Sequence, residues 1–314
     1  MIDEDRSPAS LIEVFWIEKY LTFSQSHDDQ LVSTDCMFVA EYALRGKVSD
    51  AECFEATLLR PGEDQPIEKY NGSDALWCNR LWVNRKVRSF DTLDELENAY
   101  PATDMFYWDV SGPSIRGQTQ PIRIGGAEAK TNIPRPHAMR LFQDQKRVVD
   151  YTAIDHAKPL VIEWDPFPEG ASGSIVDDLI FLFVDDCHGK IVFFGGLPVD
   201  PDYITYRSTS ATIPAGTLRP GEAFTIFFSQ CRMVDQDDSS GLLNVAVNSF
   251  GVELDIRTGG TASTLDCPEP RLKAPFMWLR KTGPGLGLET WPTIVDGNHC
   301  APEVVHLPQR VAIA

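Results

Sequence analysis

Between Asp35 and Leu44 the side chains alternate. Cys36, Phe38, Ala40, Tyr42 and Leu44 fall on one parity, and Met37, Val39, Glu41 and Ala43 on the other. A strand sends successive side chains to opposite faces, so a period of two commits this stretch to a β-sheet. Residues 52–59 repeat the pattern with Phe54, Ala56 and Leu58, and stop at Pro61-Gly62. Residues 76–83 and 105–110 read as further strands, both rich in aromatics. Residues 11–23 follow Ser7-Pro8, which would suit a helix start, but their periodicity leaves helix and strand both open. The clearest helix is residues 91–97. Thr92 and Glu95 form a capping box, Leu93 and Leu96 share a face, and Pro101 ends the helix after Tyr100.

The second half continues in the same style. Strands are expected at 159–164, 179–184, 190–194, 210–213, 223–229 and 243–256, with no helical pattern between them. Such spacing argues for antiparallel sandwiches rather than a parallel sheet built from βαβ units. A chain of 314 residues exceeds one ordinary domain. The expectation is therefore an all-β protein of two antiparallel β-sandwich-like domains in tandem, with a short helix in the first and an irregular tail. The boundaries read as 1–124 for the first sandwich, 125–158 for a connection stiffened by Pro134 and Pro136, 159–264 for the second sandwich, and 265–314 for a Pro-, Gly- and Trp-rich extension.

Charge removes several classes of function. The formal net charge is −18, from 46 acidic and 28 basic residues. Such a surface repels phosphate, and Arg85-Lys86-Val87-Arg88 is too short a basic run to offset it. Nucleic acid and anionic membrane are thus not expected as partners. Seven cysteines without CxxC spacing read as free thiols of a reducing compartment. The acidic start has no signal-peptide pattern, and no run approaches the roughly 18 apolar residues of a membrane span. Cytoplasmic localisation follows as the expectation.

Leu160-Val-Ile-Glu-Trp164-Asp-Pro-Phe167, residues 178–183 and Ile213-Pro-Ala-Gly-Thr-Leu218-Arg-Pro-Gly221-Glu-Ala-Phe224 resemble a group of uncharacterised bacterial two-domain β-sandwich proteins. Their C-terminal domain is fibronectin type III-like or immunoglobulin-like. The first half is similar more loosely, through residues 20–25, 38–40, 59–62, 93–96 and 100–101. The resemblance implies that Leu218 plugs the core, Pro220-Gly221 turns the chain and Phe224 restarts a strand. It implies an architecture and no chemistry.

Candidate chemistry is sparse. There is no GxSxG, P-loop, HxH or HExxH, so classical nucleotide enzymes are not expected and the histidine spacing does not support zinc. His137 lies between Arg135 and Arg140 in the connection, where an Arg–His pair would hold a carboxylate and move a proton. With Asp109 or Asp165 as a further acid or base, these residues form the candidate catalytic set. Tyr107 and Trp108 on one strand, with Trp278 and Trp291 in the tail, are candidate ligand-binding aromatics. Trp164 sits where immunoglobulin-like sandwiches bury a tryptophan and reads as core. Asp235, Asp237 and Asp238 resemble a calcium loop without EF-hand spacing; a solvated acidic hairpin is the plainer reading, and no other cofactor is expected.

Two functions remain open. One is a binding or assembly protein for a small molecule, glycan or protein, using exposed aromatics and the interdomain cleft. The other is a cofactor-independent lyase, isomerase or hydrolase in that cleft. Whether the chain is an enzyme is undecided at this level, and no pattern specifies an oligomeric state.

Overall fold

The first strand has no alternation because both of its faces are covered. β1 (Ile12–Gln25) lies inside an eight-stranded sheet, so apolar residues occupy both parities of IEVFWIEKYLTFSQ. This resolves the open reading of the segment in favour of strand. The computed structural model describes residues 12–45, 54–78, 81–113, 115–196 and 203–261.

β2 (Leu31–Leu44) returns antiparallel to β1. β3 (Glu55–Leu59) and β4 (Glu68–Asn71) leave that sheet and pair with each other. β5 (Leu76–Cys78) and β6 (Leu81–Phe90) return to it beside β2. The helix α1 (Leu93–Ala99) has the expected capping box. The Glu95 amide donates to Thr92 Oγ1 at 3.2 Å, and the Asp91 amide donates to Glu95 Oε2 at 3.0 Å. Leu96 is buried, but Leu93 is exposed, so the helix offers the core one leucine and not two.

β7 (Met105–Ser111) pairs with β3, and β8 (Arg116–Gln118) and β9 (Ile122–Arg123) pair with β7. After a connection come β10 (Arg140–Gln143) and β11 (Lys146–Arg147), a hairpin that falls within residues 125–158. Its turn residues Asp144 and Gln145 both have positive φ, 51° and 62°, the turn hand that matches strand twist. β12 (Leu160–Glu163) and β15 (Ser210–Ile213) complete that sheet. β13 (Leu179–Asp186), β14 (Ile191–Phe194), β16 (Ala223–Asp237) and β17 (Asn244–Arg257) rejoin the eight-stranded sheet.

The order of that large sheet is β14-β13-β16-β17-β1-β2-β6-β5. Its two halves carry one small sheet each, giving two β-sandwiches in tandem on a shared layer. The first core gathers Phe15, Phe38, Tyr42, Leu58, Tyr100, Phe106 and Trp108; the second gathers Leu141, Ile162, Trp164, Leu182, Phe228, Phe250 and Val252. Leu21 of β1 touches both. The halves meet where β1 runs parallel to β17, from Phe15 opposite Asn244 to Ser24 opposite Glu253. Among the described strands the other pairs are antiparallel, and one isolated bridge, Ile154 with Thr258, is parallel as well.

The motif residues of the second sandwich take the expected places. Leu218, Phe224 and Trp164 are buried, Gly221 has φ 70° ahead of β16, and the Trp164 indole donates to the Ser208 carbonyl at 2.8 Å. One cysteine expectation is corrected. Cys36 and Cys231 are free and buried in packed layers, whereas Cys187, in the accessible hairpin turn between β13 and β14, is disulfide-bonded. Among the described residues, no helix is long and apolar enough to cross a membrane.

Candidate functional site

The parallel seam of β1 and β17 concentrates the unusual chemistry of the molecule. Strand geometry sends Glu18 and Lys19 to opposite faces of the shared sheet. Both are buried there, Glu18 at 8% exposure and Lys19 at 0%.

Lys19 faces inward, towards α1 and the connection. Its ammonium donates to Glu97 Oε1 at 2.6 Å and to Thr131 Oγ1 at 3.1 Å, tying β1 to α1 and to the connection. Burial pulls its pKa down, and Glu97 and Asp104 oppose that pull. Around it the chain between β8 and β10 packs into the seam. Asn248 of β17 donates to the Ile124 carbonyl at 3.4 Å, and Asn244 donates to Thr119 Oγ1 at 3.0 Å. Gln25 at the end of β1 clasps Met139, accepting from its amide and donating to its carbonyl, both at 2.8 Å.

His137 belongs to this inner seam. Its ring packs on Phe228 and Phe250, with centroids at 5.6 and 5.4 Å. Burial lowers its pKa, and the Arg135 carbonyl and Asp165 act the other way. Asp165 is held by Arg140 Nη1 at 2.7 Å, and that bond keeps its carboxyl below the usual carboxylate range. His137, Arg135 and Asp165 are thus neighbours, as a shared site would require. Asp109 is not with them. It sits on β7 opposite Thr57 and Gln118, in the small sheet of the other sandwich.

The aromatic candidates divide by parity. Phe106, Trp108 and Val110 point inward, and Trp108 stacks on Phe15 at 4.9 Å with no exposed surface. Trp108 is therefore a core residue, and its assignment as a ligand platform is withdrawn. Tyr107 is half-buried on the other face. Trp278 and Trp291 lie outside the described residues. The three aspartates are engaged separately. Asp235 accepts from the Arg123 amide at 2.7 Å, Asp237 from the Ser239 amide and hydroxyl, and the Asp238 carbonyl from the Gly241 amide. Among the described residues, no group of three or more His, Cys, Asp or Glu side chains converges as a metal ion needs.

Glu18 faces the outer side. Ser249 Oγ donates to its Oε1 across the seam, and Trp16 Nε1 donates to Oε2 at 3.0 Å. Burial raises its pKa to about 7 against those two bonds. Tyr20 lies beside it over Gly251, where any Cβ would overlap the phenol hydroxyl; this explains glycine in the middle of a central strand. Apolar groups surround this polar centre: Met37, Val39, Phe183 and Phe227 with Tyr20, and Cys231, Val245 and Val247 beyond.

The outer face ends at the edge strand β14. All four of its residues, Ile191-Val192-Phe193-Phe194, are half-buried. Phe194 meets Phe181 at 5.4 Å, and Phe183 meets Phe227 at 4.6 Å, so an aromatic cluster runs up to the sheet margin. The signal for the seam was available in the sequence: Glu18-Lys19 interrupts an apolar run. The margin had no comparable signal, because edge position depends on pairing order.

Comparison with known proteins gives little beyond this geometry. No family model and no curated protein matches the chain. A chicken CNTN1 structure of domains FN1-FN3 is similar with a TM-score of 0.23 and 8% identity, over 80% of this chain and 66% of that one. This chain therefore spans just under two thirds of that structure's length. A yeast delta-COP-I mu-homology domain complexed with a Dsl1 WxWxV peptide is similar with a TM-score of 0.15 and 9% identity, over 78% and 96%. Both superpositions are slight, and the fold assignment rests on the sheets themselves.

Proposed function

We propose that the protein is a binding or assembly protein that takes a polypeptide partner at the β14 margin of its large sheet. The observation that carries this reading is an edge strand that is apolar at all four positions and only partly buried at each. Natural sheets blunt their edges with charge, proline or a cover, because an open row of amides and carbonyls recruits another strand. Among the described residues β14 is the last strand at this end of the sheet, and Phe194 with Phe181 of β13 gives it an aromatic surface on which side chains of an added strand would pack. The shared sheet makes the margin rigid, so little ordering cost falls on the protein when a partner docks.

Affinity capture with mass spectrometry, comparing the native chain with Ile191→Lys, tests the idea. A partner retained by the native chain and lost from the variant, with melting temperatures within a few degrees, supports it. Identical partner sets overturn it. A melting-shift screen against metabolites and glycans separates the small-molecule and glycan versions, since a ligand of the native state raises its stability.

The acid–base alternative rests on His137 beside Asp165. It is the weaker reading, because the imidazole is stacked against Phe228 and Phe250 and Asp165 is already bonded to Arg140.

A further inference from the structure

Cys187 is disulfide-bonded, and the fold narrows the choice of its partner. Cys36 and Cys231 are free and buried. Cys78 ends β5, at the far margin of the large sheet; six strand spacings separate β5 from β13, about 29 Å. Through β6, β2 and β1 it also lies level with the start of β17, whereas Cys187 follows Asp186, which lies level with Ile256 near the end of β17. Cys53 directly precedes Phe54, whose ring packs on Tyr42 in the first core. A disulfide needs its two Cα atoms within about 7 Å, so neither cysteine of the first sandwich reaches the β13–β14 turn. Cys267 and Cys300, both outside the described residues, remain.

After β17 the chain is led past the same turn. The Thr258 hydroxyl donates to the Arg219 carbonyl at 2.5 Å, the Thr258 amide to the Glu222 carbonyl at 3.0 Å, and the Gly221 amide to the Gly259 carbonyl at 3.1 Å. Arg219 Nη2 donates in turn to Asp186 Oδ2 at 2.9 Å, one residue before Cys187. Cys267 stands six residues beyond Thr261, a reach of up to about 20 Å. Cys300 stands thirty-nine beyond it. Closure falls with roughly the three-halves power of loop length, which favours Cys267 on the order of tenfold. We infer that Cys187 pairs with Cys267, and that this bond straps the chain leaving β17 onto the β13–β14 turn. In forming it the two thiols lose two protons and two electrons to a small disulfide oxidant such as oxidised glutathione, which leaves as two thiols. The strap closes residues 187–267 into one loop that holds β14, β15, β16 and β17, and so ties down the hairpin at the sheet margin. It fixes the turn, not the open side of β14, and is independent of the partner reading.

Peptide mapping of the native chain reads the pairing. The full chain is equilibrated with oxidised glutathione, alkylated without reductant and digested, and linked peptides are sequenced by mass spectrometry. A Cys187–Cys267 peptide from the monomeric chain supports the strap. A link from Cys187 to Cys53, Cys78 or Cys300, or an alkylated or glutathione-bearing Cys187, overturns it. Cys187→Ser should add one alkylatable thiol, at Cys267, and a gain at any other cysteine overturns the pairing. In amide hydrogen exchange the same variant should open β14 several-fold faster than the native chain while β7 of the other sandwich keeps its rate. Equal rates at β14 overturn the strap.

Discussion

Glu18 and Lys19 are neighbours in the chain, both buried and of opposite charge, yet the two sides of the sheet treat them differently. Lys19 has a carboxylate at 2.6 Å, supplied by a helix whose cap fixes its position. Glu18 has a serine and an indole. Burial alone penalises either ion, so what separates the two sites is whether a counter-charge is delivered along with the burial. On the inner face the ion is kept. On the outer face neutrality at moderate pH replaces it.

The largest expected effect comes from breaking the inner pair from the Glu97 side. Glu97→Ala leaves Lys19 buried without its carboxylate and should cost about 3 kcal/mol in urea unfolding, whereas Lys19→Met should stay within about 1 kcal/mol of the native chain. Equal losses for the two would mean that the pair is not what holds Lys19 in place.

The outer site should respond with the opposite sign. A rise from 4.5 to about 7 corresponds to about 3 kcal/mol of preference for the neutral acid. Glu18→Gln should therefore stabilise the protein by about 2 kcal/mol at pH 8 and change little at pH 5, read from denaturant midpoints at the two pH values. A variant less stable than the native chain at pH 8 would make Glu18 a second stabilising ion and erase the contrast.

Gly251→Ala comes next. It pushes Tyr20 out of place beside Glu18 and should cost roughly 2 kcal/mol, as overpacking does, without altering the inner pair. The smallest effect is expected at Thr92→Ala. Loss of the cap should cost about 1 kcal/mol and, because α1 carries Glu97, should shrink the further penalty of Glu97→Ala in a double-mutant cycle. Strict additivity would separate the helix cap from the inner ion pair.

Much of the fold was legible where one face is buried and the other is not. The alternation of β2, the capping box of α1 and the Leu218 to Phe224 turn all have local causes, and local causes show in sequence. Glu18-Lys19 marks β1 as unusual, but the strand's place in the sheet was not legible, because a strand covered on both sides has no alternation to read. Its pairing with β17 joins residues more than two hundred positions apart, and no turn chemistry announces that. Trp108 shows a second limit. Parity groups it with Phe106 and Val110, but which parity is inward depends on the sheet that packs over it. Leu93 fails likewise, since a seven-residue helix lying on a sheet needs only a narrow apolar stripe.

The parallel pairing of β1 with β17 also has a consequence in time. β1 is made more than two hundred residues before β17 and must wait for it before its second flank is covered. Until then a long, largely apolar ribbon stands with an open margin, as slow-forming, non-local β topologies do. A nascent chain halted anywhere before residue 244 would lack that partner, so aggregation on the ribosome should depend more on where elongation pauses than on the strength of either core.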